Sequence, residues 1–160
     1  GQTAPLPAGG AVRIGDRSGI FFGCRLIGAD AGIDVGADCN IQDNSVIDAG
    51  DGPVSIGAET TIGHNVDLSS CRIGNRSLIG IGSVLATGTV VDDDVLLAGG
   101  AMTDPAQHLE GGWLWGGCPA RPIARLDDAK RAMILGTVGH YRFYGDRYRA
   151  AQHDKTSKEV

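Results

Sequence analysis

The sequence predicts an all-β solenoid of about five three-sided parallel coils, followed by one C-terminal α-helix. Three observations predict it. Aliphatic residues recur every six positions, a period that fits neither a helix of 3.6 residues per turn nor a continuous strand. Glycine supplies 26 of 160 residues while aromatics make up only 5%, which disfavours a helical bundle with large core side chains. The glycines show no Gly-X-Y period, which excludes collagen. A chain of 160 residues has room for one compact domain and not for two.

The elements follow in order. Ile14, Ile20 and Leu26 form the first set, Val35, Ile41 and Ile47 the second, and Ile56, Ile62 and Leu68 the third. Ile73, Ile79 and Leu85 form the fourth, and Val91 and Leu97 begin a fifth. Steps between sets are nine, nine, five and six, so every irregularity falls after the third member of a triplet. Three short strands per coil, each aliphatic side chain stacked on its equivalent one coil away, satisfy this pattern. A small residue two places earlier, such as Cys24, Cys39, Ser45, Thr60 or Ser77, is expected to point inward as well. Glycine after the aliphatic, as in Ile14-Gly15 and Ile62-Gly63, suits a sharply bent corner.

These signals divide the chain into an N-terminal extension (1–11), the coils (12–102), an extended return segment (103–126), a helix (127–150) and a frayed tail (151–160). Pro105, Pro119 and Pro122 with paired glycines mark the return segment. The helix is expected to start at Asp127, with Asp128 in its first turn and Ile134, Val138, Tyr141 and Tyr148 on one face.

A net charge of −5 gives no electrostatic footprint for nucleic acid or an anionic membrane. The longest apolar runs are far too short to span a bilayer. Residues 1–10 lack a charged n-region and an apolar h-region, so a cytoplasmic setting is expected. Cys24, Cys39 and Cys71 occupy the small inward position and read as unpaired fillers, since no CxxC spacing is present. Cys118 falls outside the coils, with no signature of a catalytic thiol nearby. His64 is the histidine within the repeat, two residues past Ile62, and is expected outside the prism near a corner. Phe21, Phe22, Ile27 and Ile81 are expected to point outward and to mark an interface between subunits.

The hexapeptide spacing resembles the left-handed β-helix proteins, and their handedness comes with that resemblance. Within that group, Asn40-Ile41-Gln42-Asp43-Asn44, Thr61-Ile62-Gly63-His64-Asn65-Val66, Cys71-Arg72-Ile73-Gly74-Asn75 and Gly117-Cys118-Pro119-Ala120-Arg121 resemble the γ-class carbonic anhydrase family. The likeness runs from about Val12 to Tyr148. It implies a homotrimer with zinc between neighbouring subunits. The three histidine ligand positions of that family fall on Asp48, His64 and Ser69, so only His64 keeps the imidazole. The family's Arg-Gly-Asp run falls on Ile27-Gly28-Ala29, with Arg25 offered by a shifted alignment. Asn40, Gln42, Asp43 and Tyr141 stand at positions that line the family's cleft; equally, the first three suit corner hydrogen bonds and Tyr141 suits helix packing.

A catalytic zinc takes three protein ligands from histidine, cysteine and carboxylate, plus an open water position. One histidine and one carboxylate do not make such a site, so no cofactor is expected and zinc-dependent CO2 hydration is disfavoured. Asp48 and Ser69, each directly after the third aliphatic of its triplet, are expected to stack on consecutive coils, with His64 arriving from the adjacent subunit. The leading expectation is therefore a homotrimer with metal-independent acid–base chemistry on a small molecule in the intersubunit cleft. His64, Asp48, Ser69, Gln42 and Tyr141 are its candidate catalytic residues, lined by Asn40 and Asp43. The alternatives are a non-catalytic assembly subunit and a CoA-dependent acyltransferase of the same architecture. The latter is weakened by the lack of a long loop between coils, since the largest corner adds only three residues.

Overall fold

A computed structural model describes residues 10–156 of the chain, so the expected N-terminal extension lies almost entirely outside the described residues. The first coil comprises β1 (Val12–Ile14), β2 (Gly19–Ile20) and β3 (Arg25–Ile27), and the second β4 (Ile33–Val35), β5 (Asn40–Ile41) and β6 (Val46–Asp48). The third holds β7 (Val54–Ile56), β8 (Thr61–Ile62) and β9 (Asp67–Ser69), and the fourth β10 (Arg72–Ile73), β11 (Leu78–Ile79) and β12 (Val84–Leu85). The fifth holds β13 (Val90–Val91) and β14 (Leu96–Leu97), with Met102 bridging to Val84 on its third side. Equivalent strands stack into three parallel faces, in register Ile14↔Val35, Ile20↔Ile41 and Leu26↔Ile47. The fold is a parallel β-solenoid, as the six-residue period predicts.

The inward column is buried. Ile41, Ile47, Ile62, Leu68, Ile79 and Leu85 are fully buried, and the small positions Cys39, Ser45, Thr60, Cys71 and Ser77 are buried beside them. Ile14 and Ile20 remain 41% and 39% exposed, because no described coil lies beneath them and burial in this fold is supplied only by neighbouring coils.

The glycines after the aliphatic residues do a different job from the one expected. Left-handed backbone falls two places later, at Asn44 (φ 61°) and Asn65 (φ 54°), where asparagine tolerates it. A Cβ at Gly57 would instead lie 2.6 Å from the carbonyl carbon of Gly74, and one at Gly63 would lie 2.8 Å from the backbone nitrogen of Ile81. Close approach of consecutive coils, not bending, requires glycine there.

Residues 103–126 are not a simple return segment. β15 (His108–Leu109) and β16 (Trp113–Gly116) pair in parallel with β13 and β14, adding two sides of a sixth coil. The coil spacing continues through Thr103, whose buried hydroxyl accepts from the Ala86 N–H at 2.9 Å and lies 2.7 Å from Thr89 Oγ1. Only then does the chain reverse, in β17 (Arg121–Arg125), antiparallel to β16.

Helix α1 (Asp128–Thr156) runs beyond the expected end at residue 150. Asp127 caps it, its Oδ1 accepting from the Lys130 N–H at 2.8 Å. Ile134 and Val138 are buried, whereas Tyr148, expected on the same face, is 49% exposed. Gly136 and Gly139 face open space and do not interrupt the helix. The helix lies on the second face, over β2, β5 and β8. It is pinned there by Arg142 to Asp38 (3.1 Å) and Arg131 to Asp94 (3.7 Å).

Ile62→Ala should lower stability by about 2–5 kcal/mol, and Ile20→Ala by clearly less, in urea unfolding followed by circular dichroism. Equal losses would contradict the stacking account. Arg17 foremost, with Arg142, holds the Asp38 carboxyl below its ordinary value. A carboxyl depressed in the folded state stabilises it above the unfolded pKa of about 3.9, and that contribution fades as pH falls through the folded value. Asp38→Asn should therefore lower the thermal midpoint at pH 7, and the gap to the parent should narrow at pH 3.

Candidate active site

His64 sits at the edge where the second face turns into the third, one coil above Asp43. Its Nε2 lies 3.1 Å from the hydroxyl of Tyr141, and its Nδ1 lies 3.5 Å from Asp43 Oδ2. The stacked coils bring Asp43 and His64 together, and α1 brings Tyr141 across sequence. Burial first, then the Asp43 carboxylate, raises the Tyr141 pKa above its ordinary value. In the tautomer whose Nδ1–H faces the carboxylate, Nε2 is the acceptor and the phenol is the donor.

A buried amide chain supports this corner from beneath the helix. Gln42 Nε2 donates to Asn40 Oδ1 (3.0 Å), and Asn40 Nδ2 donates to Thr61 Oγ1 (2.8 Å). Asp43 is itself fixed, its Oδ1 accepting from the Phe22 N–H at 2.8 Å. The Phe21 ring meets Tyr141 edge-on, with centroids 5.2 Å apart. Sequence reasoning missed Thr61 and Phe21 as supporting residues. Thr61 was legible in principle, because it stands 21 residues after Asn40, one full coil in this part of the repeat.

Asp48 and Ser69 are direct register partners on β6 and β9, so they stack as the spacing predicts. They lie at the opposite edge of the third face from His64. Ser69 follows His64 by five positions, at most about 16 Å of backbone. Within one chain these two groups do not join the His64 cluster. Asp48 Oδ1 instead accepts from the Gly50 N–H at 2.9 Å.

The residues at the three family ligand positions do not fit a zinc ion. Ser69 supplies a hydroxyl in place of imidazole, which leaves one histidine and one carboxylate where a catalytic zinc takes three protein ligands. The thiols offer no replacement at this corner. Burial pushes Cys39 up to about 11 and Cys71 up to about 12, so both remain protonated and inert at neutral pH. Cys118 is exposed, with its Sγ 3.5 Å from Met102 Sδ.

No family model matches the chain. Individual relatives do. Protein YrdA of Escherichia coli is 36% identical over 147 residues, covering 87% of this chain and 80% of that protein. Gamma carbonic anhydrase 1 of Arabidopsis thaliana, a mitochondrial protein, is 35% identical over 139 residues, covering 82% of this chain and 50% of that one. The chain thus spans about half the length of that plant relative. Among solved structures, a hexapeptide transferase family protein from Anaplasma phagocytophilum matches with a TM-score of 0.82 at 31% identity, over 86% of this chain and 81% of that one. The fold and these likenesses define a left-handed β-helix of the hexapeptide-repeat class. Within that class the chain belongs to the γ-carbonic-anhydrase-like family.

Proposed function

We propose that this chain forms a homotrimer whose intersubunit cleft performs metal-independent acid–base chemistry on a small molecule, in a cytoplasmic setting. The observation that carries the reading is the row Asp43–His64–Tyr141, in which Tyr141 is hydrogen-bonded to His64 and the Asp43 carboxylate lies 3.5 Å from the other ring nitrogen. A substrate proton delivered to the Tyr141 oxygen displaces the phenolic proton onto His64 Nε2, and the Asp43 carboxylate steadies the resulting imidazolium. The reverse transfer protonates a product. A positioned group of this kind typically contributes about 10²–10⁴-fold.

The trimer is supported by the surroundings of His64. Phe22 and Ile81, exposed by 66% and 58%, flank it along the same edge of the prism, and a neighbouring subunit would cover them. That neighbour would bring its own Asp48 and Ser69 edge towards His64, with Gln42 and Asn40 lining the cleft. No helix among the described residues is long and apolar enough to cross a membrane. A second reading, a CoA-dependent acyltransferase, is favoured by the likeness to the Anaplasma hexapeptide transferase family protein. Saturable CoA binding would support it.

Zinc analysis tests the main reading. Protein purified without added zinc should carry well below one zinc per subunit, and stopped-flow CO2 hydration should stay at the buffer rate after zinc is supplied. Asp48→His combined with Ser69→His should raise zinc affinity by completing the set with His64. Stoichiometric zinc in the parent, with CO2 hydration abolished by a chelator, would overturn the proposal. Unchanged zinc affinity in the double variant would show that these three positions do not meet.

A further inference from the structure

The corners between the third and first faces have unequal lengths, and the inequality builds a notch. The corner from Ile47 to Ile56 takes nine residues, whereas the next, from Leu68 to Ile73, takes five. The longer corner stands out as a ledge, and the turn through Ser70, with φ 41°, is drawn in above it. The Asp51 N–H donates to Ser70 Oγ at 3.2 Å, and the Gly88 N–H donates to the Ser70 carbonyl at 2.8 Å. These bonds tie the ledge, the short turn and the following coil together.

The resulting notch has a volume of about 280 Å³ and is walled by Pro53 and Ser55 on one side and by Gly88 and Thr89 on the other. Ser70, which is buried, and Arg72, which is exposed, complete its polar lining. Arg72 stands in register between Ser55 and Val90 on the first face. No aspartate or glutamate lines the notch, and among the described residues Arg72 pairs with no carboxylate. Ser70 Oγ already accepts a hydrogen bond, so its proton is free to be donated inward.

The geometry points to a binding site for a small oxyanion, a carboxylate or phosphate group, held by the Arg72 guanidinium with the Ser55 and Ser70 hydroxyls. Guanidinium is the side chain best matched to such groups, because its planar fork donates two parallel hydrogen bonds. Net charge argues against unspecific anion collection, since the chain as a whole carries −5. The notch is lined from a single chain and uses none of the acid–base residues, although Ser70 directly follows Ser69 and places it beside the Asp48–Ser69 edge.

Amide chemical shifts of the full chain, titrated separately with sodium acetate and with inorganic phosphate at constant ionic strength, test it. Saturable shifts at Ser55, Ser70, Arg72 and Gly88 are expected, and the anion that saturates at the lower concentration identifies the class. Arg72→Ala should weaken that binding by about tenfold or more, Arg72→Lys by less, and His64→Ala not at all. Should the alanine variant fail to fold, Arg72→Gln takes its place. Shifts that are linear, spread over the surface, reproduced by sodium chloride, or unchanged in the Arg72 variants would overturn the assignment.

Discussion

Each inward aliphatic side chain is buried only by its counterparts one coil away, and the rest of the molecule depends on keeping that stack in register. Neighbouring strands lie about 4.8 Å apart, so a coil that slips loses its place against both neighbours at once. Burying an isoleucine is worth about 1.5–3 kcal/mol, and most coils contribute three such positions. The constraint reaches outward too. Because coils must approach closely, Gly57 and Gly63 cannot carry a Cβ. Because register is fixed, outward residues such as Asp48 and Ser69, or Asn40 and Thr61, become stacked neighbours.

That register is why much of the fold was legible in the sequence and why its far end was not. From Ile14 to Leu97 the period of six is carried by aliphatic residues. At Thr103 it is carried by a buried hydroxyl whose hydrogen bonds replace apolar contact, and Pro105 follows two residues later. The pattern resumes at Leu109 and Trp115, both buried, but a reader following only aliphatic side chains stops at Leu97. The helix presents a related limit. Gly136 and Gly139 weaken its intrinsic propensity, while Asp127 capping, the buried Ile134 and the Arg142–Asp38 pair sustain it.

The candidate site was legible in its members and not in its grouping. The stacking of Asp48 on Ser69 follows from counting. The contact between His64 and Tyr141 does not, since it spans 77 residues and depends on where α1 lies across the second face. The surroundings of His64 have a chemical consequence. An imidazole with a phenol 3.1 Å from Nε2 and a carboxylate 3.5 Å from Nδ1 is oriented for proton transfer.

The central claim is that His64 is held for proton transfer by Asp43 and Tyr141 and does not ligate a metal. Nitrogen-15 spectra of the His64 ring, recorded near pH 8 before and after chelator treatment, test it most directly. The account predicts a proton on Nδ1, a hydrogen-bonded acceptor signature at Nε2 that weakens in Tyr141→Phe, and no change on chelation. A ring-nitrogen shift that collapses with chelator and returns with zinc would contradict it.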